Sequence, residues 1–389
     1  MANTTNNREN NSDLSAQLEK MFAQELLERG MAEVILEAGA LIAIGLTAFF
    51  GNSLICLAMY RNKALRRRVT NVFILSLAIS DILMACLCIP IAAGVLIEGR
   101  WIYSSFGCQF QAYWIYVLAG ISLYTMAVTA VNRFYRVVKP RVYNRYFSMR
   151  STLVMILFVW LSIGITIAFL IKINWLRVKF QSAKASCVMY AWLGTKSLTF
   201  IYQIVAFLVF FIIPTVLITR CYKKVFRKVR EHQRNVTKSL LGARHAARKQ
   251  NETSTTPFTR TNIEEIDITR TLFRVVLAFA VCWTPVIVYE VIVITSNIFH
   301  FYEYLPRQVH LIWLYFGTIG SAVNAFIYGG MNRSFRNEFL KIFNFKNNTR
   351  VGVYGTEMSV LTATNAAYKP TTQKRWSAAI QTVPKSPQN

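Results

Sequence analysis

Charged side chains are scarce along most of this chain, so the few inside apolar runs are where its chemistry has to be sought. Asp81 closes Leu77-Ala78-Ile79-Ser80-Asp81, Arg133 lies in Asn132-Arg133-Phe134, and Glu290 interrupts a third apolar run. A carboxylate in a membrane span costs roughly 2.5–3.5 kcal/mol on insertion scales, which polar partners must offset. Asn52, Ser122, Ser321 and Asn324 fall at similar depth in other runs. With Asp81 they suffice either for a hydrogen-bonded clamp between helices or for a small cavity holding water or a sodium ion. Arg133 reads as a boundary anchor or as one half of a latch with Glu265, made or broken as two helices separate. Catalysis has no comparable basis. The histidines His232, His245, His300 and His310 form no metal-ligand pair, and there is neither a glycine-rich phosphate loop nor a nucleophile elbow. No enzyme is expected, and no cofactor beyond that sodium ion.

The elements that position these residues are expected to lie in lipid. Of 389 residues, 54 % are hydrophobic and 16 % charged, with a mean hydropathy of +0.34, whereas soluble chains carry about 25 % charge. Seven apolar runs stand out: Ala38 to Tyr60, Val69 to Ile97, Trp101 to Asn132, Ser151 to Ile171, Ser197 to Thr219, Val275 to Phe301 and Gln308 to Asn332. Each is long enough to cross about 30 Å of hydrocarbon at 1.5 Å per residue. The expected fold is therefore all-α, a seven-transmembrane helix bundle. The net charge of +26 would suggest nucleic acid in a soluble chain. Here the basic residues cluster after runs one, three, five and seven, without zinc-finger or helix-turn-helix spacing, so nucleic acid is not an expected partner. The same clustering places the N-terminus outside and the C-terminus in the cytoplasm of a plasma-membrane protein.

Five segments follow. Residues 1–36 form an extracellular tail with glycosylation acceptors at Asn3 and Asn10; Leu14, Leu18, Phe22 and Leu26 recur at helical spacing within it, as one face of a helix or only a nascent helix. Residues 37–332 hold the seven spans, with an inner loop at about 227–264 that is partly disordered. Residues 333–346, with Phe335, Phe339 and Phe343 four apart, form an amphipathic interfacial helix, and 347–389 a disordered cytoplasmic tail. Pro90, Pro214 and Pro285 are candidate bends, and Trp283 beside the last is core filler or a reporter of pocket occupancy. Cys108 and Cys187 both face the oxidising side and can be bridged if their α-carbons come within about 7 Å. The outer loop after run four, with Lys172, Arg177, Lys179, Lys184 and Lys196, reads as a basic lid that steers an acidic ligand or as a contact for lipid headgroups.

The motifs Gly51-Asn52, Leu77 to Asp81, Trp101 with Cys108, Asn132-Arg133-Phe134, Trp160, Pro214 with Tyr222, Cys282-Trp283-Thr284-Pro285 and Asn324-Ala325-Phe326-Ile327-Tyr328 occur in order. Together they resemble the rhodopsin-like (class A) G-protein-coupled receptors over roughly Gly51 to Phe343. The resemblance implies an extracellular ligand and a heterotrimeric G protein as partner, in contact with membrane lipids, and the Ser and Thr content of the tail permits arrestin-type regulation. It implies a switch of Asn132, Arg133, Tyr222, Glu265, Asn324 and Tyr328, and a sodium and water site of Asp81, Ser122, Ser321 and Asn324. Asn132 replaces the usual Asp before the arginine, and Ala325 the usual Pro. The Asn-Arg-aromatic triplet and Asn332 to Phe339 are similar to the melatonin-receptor branch, but Leu170 and Phe210 stand where that branch uses its asparagine and histidine. Thr318 stands at the opsins' retinal lysine and Ile115 at the amine receptors' aspartate. The expected ligand pocket comprises Ile115, Tyr116, Ala119, Trp283, Glu290 and His310. The competing class is a seven-span channel or transporter, which needs a polar file through the bilayer.

Overall fold

The structure is a computed structural model that describes residues 16–247, 258–299 and 305–342. Asn3, Asn10, the core of the expected inner-loop disorder, Phe343 and the tail beyond it lie outside the described residues. Seven helices are long and apolar enough to cross a membrane: Met31–Arg61, Val69–Glu98, Ser105–Val138, Met149–Lys172, Ser197–Glu231, Ile268–Val293 and Arg307–Met331. They are numbered here as spans one to seven. Most overrun their apolar stretch, because a helix continues into the polar boundary wherever nothing caps it. Span three starts late instead, at Ser105 rather than Trp101, because the Ser104 hydroxyl accepts the Gly107 N–H and fixes the N-terminus there. The Trp101 ring packs beside Tyr103 and Phe180 ahead of the helix.

Two buried clusters stack along the bundle. One, with Leu41, Leu96, Leu118 and Leu314, lies toward the end that carries the disulfide; the other, with Ile55, Leu77, Met126 and Tyr328, lies toward the end that carries the basic loops. Span four covers the bundle from one side and leaves Leu153, Val154, Leu157, Phe158, Leu161 and Ile165 exposed. That helical spacing of apolar residues is a lipid-facing stripe. The Trp160 indole N–H donates to Ser76 Oγ at 2.9 Å and holds span four to span two.

Pro90 and Pro214 act differently from a simple kink. Each follows a wide π turn, Met84–Cys88 before Pro90 and Leu208–Ile212 before Pro214. A proline ring collides with the carbonyl four residues earlier, and the extra residue of a π turn moves that carbonyl aside. Pro285 lies inside the continuous helix Phe258–Phe299.

The N-terminal segment is more than a nascent helix. Residues 16–27 are helical and bury Phe22 and Leu26 against the disulfide end of the bundle, because the apolar face has a partner surface there. Gly99 ends span two with φ +72, and a Cβ there would lie 2.9 Å from the Leu26 carbonyl oxygen, so glycine serves both the left-handed cap and the close approach. After span seven, helix Arg333–Ile342 packs Phe335 fully against the protein, with its ring 6.1 Å from that of Tyr328, and leaves Leu340 exposed.

Spans one and seven touch at Gly51, where an added Cβ would lie 2.5 Å from the Ala325 Cβ. Gly51→Ala should lower the thermal unfolding midpoint in detergent, by the equivalent of about 1–3 kcal/mol of overpacking. Gly51→Ala with Ala325→Gly should recover most of the loss.

Candidate functional site

At mid-bundle, Asp81 Oδ2 accepts a hydrogen bond from Asn324 Nδ2 at 2.9 Å, with both residues buried. Asn52 Nδ2 donates to Ala48 O at 2.8 Å and to Ser321 O at 2.9 Å, which joins span one to span seven at the same level. Ser122 Oγ lies 3.1 Å from Ser80 Oγ. Ser80, Asp81, Ser122, Ser321 and Asn324 line one cavity together with Trp283. It has about 20 Å³ of room for water centres, and one water needs roughly 10–15 Å³ on that measure. Its donor set is oxygen from one carboxylate, hydroxyls and an amide, which suits a hard cation or a water. The four residues expected at the sodium site thus share a cavity of suitable size and chemistry.

At the basic end, Arg133 is 1 % exposed. Its Nη2 donates to Thr70 Oγ1 at the start of span two and to Asn132 Oδ1 at 2.9 Å. Asn132 Nδ2 in turn donates to the Tyr143 hydroxyl at 3.2 Å. Tyr143 belongs to helix Pro140–Tyr146, stacks on Phe147 at 5.5 Å and lies under the Arg136 guanidinium. An amide at position 132 can accept from arginine and donate to tyrosine at once, which a carboxylate cannot do. Thr70 and Tyr143 were not singled out by sequence reasoning, since neither type is unusual at a helix end. The Glu265 side chain lies outside the described residues, so the structure does not place the expected latch. Tyr222 and Tyr328 are buried in the same cluster, Tyr222 against Phe273, and neither hydroxyl has a protein partner among the described residues.

At the opposite end, Cys108 and Cys187 form a disulfide with a Cα–Cα distance of 5.4 Å. It ties span three to an antiparallel hairpin, β1 Leu176–Gln181 and β2 Ser186–Ala191. Gln111 supports the same point, its Oε1 accepting the Cys187 N–H at 3.0 Å. Lys172, Arg177 and Lys179 are exposed, as a basic lid or a headgroup contact requires, but Lys184 is not. Lys184, at the hairpin tip, is 6 % exposed and points into the bundle, with Nζ 2.7 Å from Glu290 Oε1. Burial pushes the Lys184 ammonium below the ordinary lysine range, and Glu290 opposes that shift. Arg177 and Lys179 lie over the rings of Trp192 and Tyr190, so two more cations of the supposed lid are engaged by its own aromatics. The Lys196 side chain lies outside the described residues.

The six expected pocket residues fall in different surroundings. Ala119 and Trp283 face the Asp81 cavity. The Tyr116 hydroxyl donates to Met189 O on β2 at 3.4 Å, and Ile115 packs against the neighbouring core. Glu290 is taken by Lys184, while His310 Nδ1 lies 2.6 Å from the Tyr289 hydroxyl and its ring meets Phe22 edge-on at 4.9 Å. The hairpin and the N-terminal helix thus supply contacts that sequence reasoning assigned to a ligand.

A second ionic cluster binds the N-terminal helix to this end. Arg307 is fully buried, with Nη1 3.1 Å from Glu37 Oε2 and Nη2 on Glu37 Oε1. Arg29 also pairs with Glu37 and donates to Leu96 O. The carboxylate of span one therefore neutralises arginines from two other segments. Glu37→Ala should remove the carboxylate these buried arginines share, leaving Arg307 the more distant Glu25 at 3.9 Å, and lower thermal stability by roughly 3–5 kcal/mol. Adding Arg307→Met to that variant should restore part of it, as read from unfolding midpoints in detergent.

Comparison with known proteins places these features. The family described as 7 transmembrane receptor (rhodopsin family) matches residues 51–328. The D(1C) dopamine receptor of Xenopus laevis is 26 % identical over 310 residues, 76 % of this chain and 65 % of that receptor. The chain thus spans just under two thirds of that relative's length. The melatonin receptor type 1A of Ovis aries is 26 % identical over 75 % of this chain and 73 % of that protein. The 5-hydroxytryptamine receptor 4 of Cavia porcellus is 27 % identical over 80 % of each. Squid rhodopsin shares the fold, with a TM-score of 0.67 at 19 % identity over 82 % of this chain and 87 % of that structure.

Proposed function

Because the chain belongs to the rhodopsin family of seven-transmembrane receptors, we propose that it is a plasma-membrane receptor that takes an extracellular ligand at the disulfide end and activates a heterotrimeric G protein at the basic end. The orientation follows from the loop charges, since Arg and Lys accumulate where spans one, three, five and seven end. A disulfide at the opposite end suits the oxidising side, where the acceptors Asn3 and Asn10 would also lie. The basic loops suit both an anionic leaflet and an acidic partner surface.

The observation that carries this reading is the environment of Arg133. A permanent cation is buried at the cytoplasmic boundary and held by groups from span two and from its own helix, Thr70 and Asn132. Such a cation becomes available to a partner when neighbouring helices separate. Span six can supply the separation. Pro285 removes one hydrogen bond from helix Phe258–Phe299, and the half of that helix toward the basic end packs Phe273 against Tyr222 and Phe226 of span five. Outward movement of that half exposes the Arg133 region, with Glu265, Tyr222, Asn324 and Tyr328 as the residues that rearrange. Occupancy at the disulfide end shifts this existing equilibrium by its differential affinity for the two states. Asp81, Ser122, Ser321 and Asn324 would hold a sodium ion between the two ends, where it would screen the carboxylate.

Recruitment of an engineered G-protein probe to cells expressing the receptor, with and without pooled amines, acidic metabolites and peptides, tests the assignment. A ligand pool or the basal state should recruit a probe, and Arg133→Ala should remove recruitment at equal surface expression. No recruitment of any probe at good surface expression would overturn the assignment and turn attention to flux assays. For the ion, sodium should raise the unfolding midpoint of the purified receptor more than choline does at equal ionic strength, and Asp81→Asn should abolish that difference.

A further inference from the structure

The group that fills the mouth of the bundle is a lysine of the chain itself. Lys184 Nζ lies 2.7 Å from Glu290 Oε1 and 5.0 Å from the ring centroids of both Tyr289 and Trp313. One carboxylate and two aromatic faces around a single ammonium form a recognition site for a cation, in which charge pairing and ring quadrupoles act together, the lysine side chain being 8 % exposed and the carboxylate side chain 36 %. The hairpin is built to deliver that ammonium. Cys187, just past the tip on β2, is fixed by its bond to Cys108 and by Gln111, and the tip itself is held by Glu19 of the N-terminal helix, whose Oε1 accepts the Ser182 N–H at 2.8 Å. Ala185, next to Lys184, takes φ +47, a left-handed conformation that alanine adopts only when its surroundings impose it.

We propose that Glu290, Tyr289 and Trp313 form a binding site for a protonated amine, that Lys184 occupies it as a tethered competitor, and that an external amine enters by displacing Lys184. Span three offers Ile115 and no charge at this end, so the carboxylate that reads the ligand's charge stands on span six. The inference rests on the receptor reading for its biological meaning, whereas the site itself can be tested by binding alone. Apparent affinity for an external amine falls in proportion to the fraction of time the site is free. Truncating Lys184 therefore opens the site to a small amine that replaces the lost ammonium.

The full-length receptor is purified in detergent, and its unfolding midpoint is followed against n-butylammonium, with 1-butanol as the uncharged control. Lys184→Ala should show a saturable rise with n-butylammonium. The wild-type receptor should need a concentration at least about tenfold higher, as expected for a site that Lys184 leaves open about a tenth of the time or less. Lys184→Ala with Glu290→Gln should not respond, nor should any variant respond to 1-butanol. Lys184→Met keeps the bulk of the stem and serves as the second variant should Lys184→Ala fold poorly. An equal response with and without Glu290, or no response in either truncated variant, overturns the site. G-protein probe recruitment on cells is measured in parallel. Saturable binding without recruitment of any probe by any ligand leaves the ammonium site standing and sinks the receptor reading, whereas recruitment without Glu290-dependent binding does the reverse.

Discussion

A carboxylate placed where the surrounding medium is hydrocarbon has to find its partners inside the protein, and the middle of this bundle is organised around that demand. Asp81 meets it with Asn324 from span seven, and the level of the pair is shared by Asn52, Ser80, Ser122 and Ser321. These side chains come from four helices at one depth, so satisfying one charge sets the mutual positions of spans one, two, three and seven. The glycine-to-alanine contact between Gly51 and Ala325 lets spans one and seven close tightly enough for those bonds to form. Hydrophobic burial alone could not choose this register, because lipid is as good a solvent for leucine as the bundle interior is.

The two ends hold their charges in different settings. At the basic end Arg133 is buried and bonded to a hydroxyl and an amide, Thr70 and Asn132. The Asn132 amide also reaches Tyr143, so the helix after span three is coupled to the same arginine. At the disulfide end the charges are matched cation to carboxylate, with Glu37 between Arg29 and Arg307 and Glu290 against Lys184. The Glu37 cluster, with Arg307 fully buried, is of the kind that is costly to break one partner at a time. That end therefore holds its loops in one arrangement until another cation competes.

Self-occupation of the mouth has a further physical consequence. The hairpin is tethered by a disulfide and by Gln111, so Lys184 acts at a high effective concentration, and an external amine meets an intramolecular rival rather than an empty cavity. The N-terminal helix shares in this arrangement through Glu19 and through Phe22 on the His310 ring. Ligand entry on this account requires three segments to yield together, the hairpin tip, the N-terminal helix and the outer parts of spans six and seven. Specificity then depends on displacing a fixed group as well as on filling space.

Much of this protein is legible in its sequence. Seven spans follow from run length and hydropathy, since lipid forces each segment to satisfy its own backbone bonds. Asp81 with Asn324, the pairing of Cys108 with Cys187 and the motifs that carry the family likeness were readable because span length fixes the depth of each residue. Other features were not. The pairing of Lys184 with Glu290 joins residues 106 apart, and that of Arg307 with Glu37 joins residues 270 apart. Both depend on which way a loop or a chain end folds back over the bundle, and depth in the membrane says nothing about that. Lys184 accordingly read as part of a basic lid or a headgroup contact, and Leu14, Leu18, Phe22 and Leu26 as a helical face with no stated partner or only a nascent helix. The π turns ahead of Pro90 and Pro214 escaped for a related reason, because proline announces a conflict with the helix without saying whether a kink or an added residue relieves it. Sequence alone determined what must lie in the membrane and how deep. Tertiary structure decided which charges meet above that level, because segments outside the hydrocarbon are no longer held to one dimension.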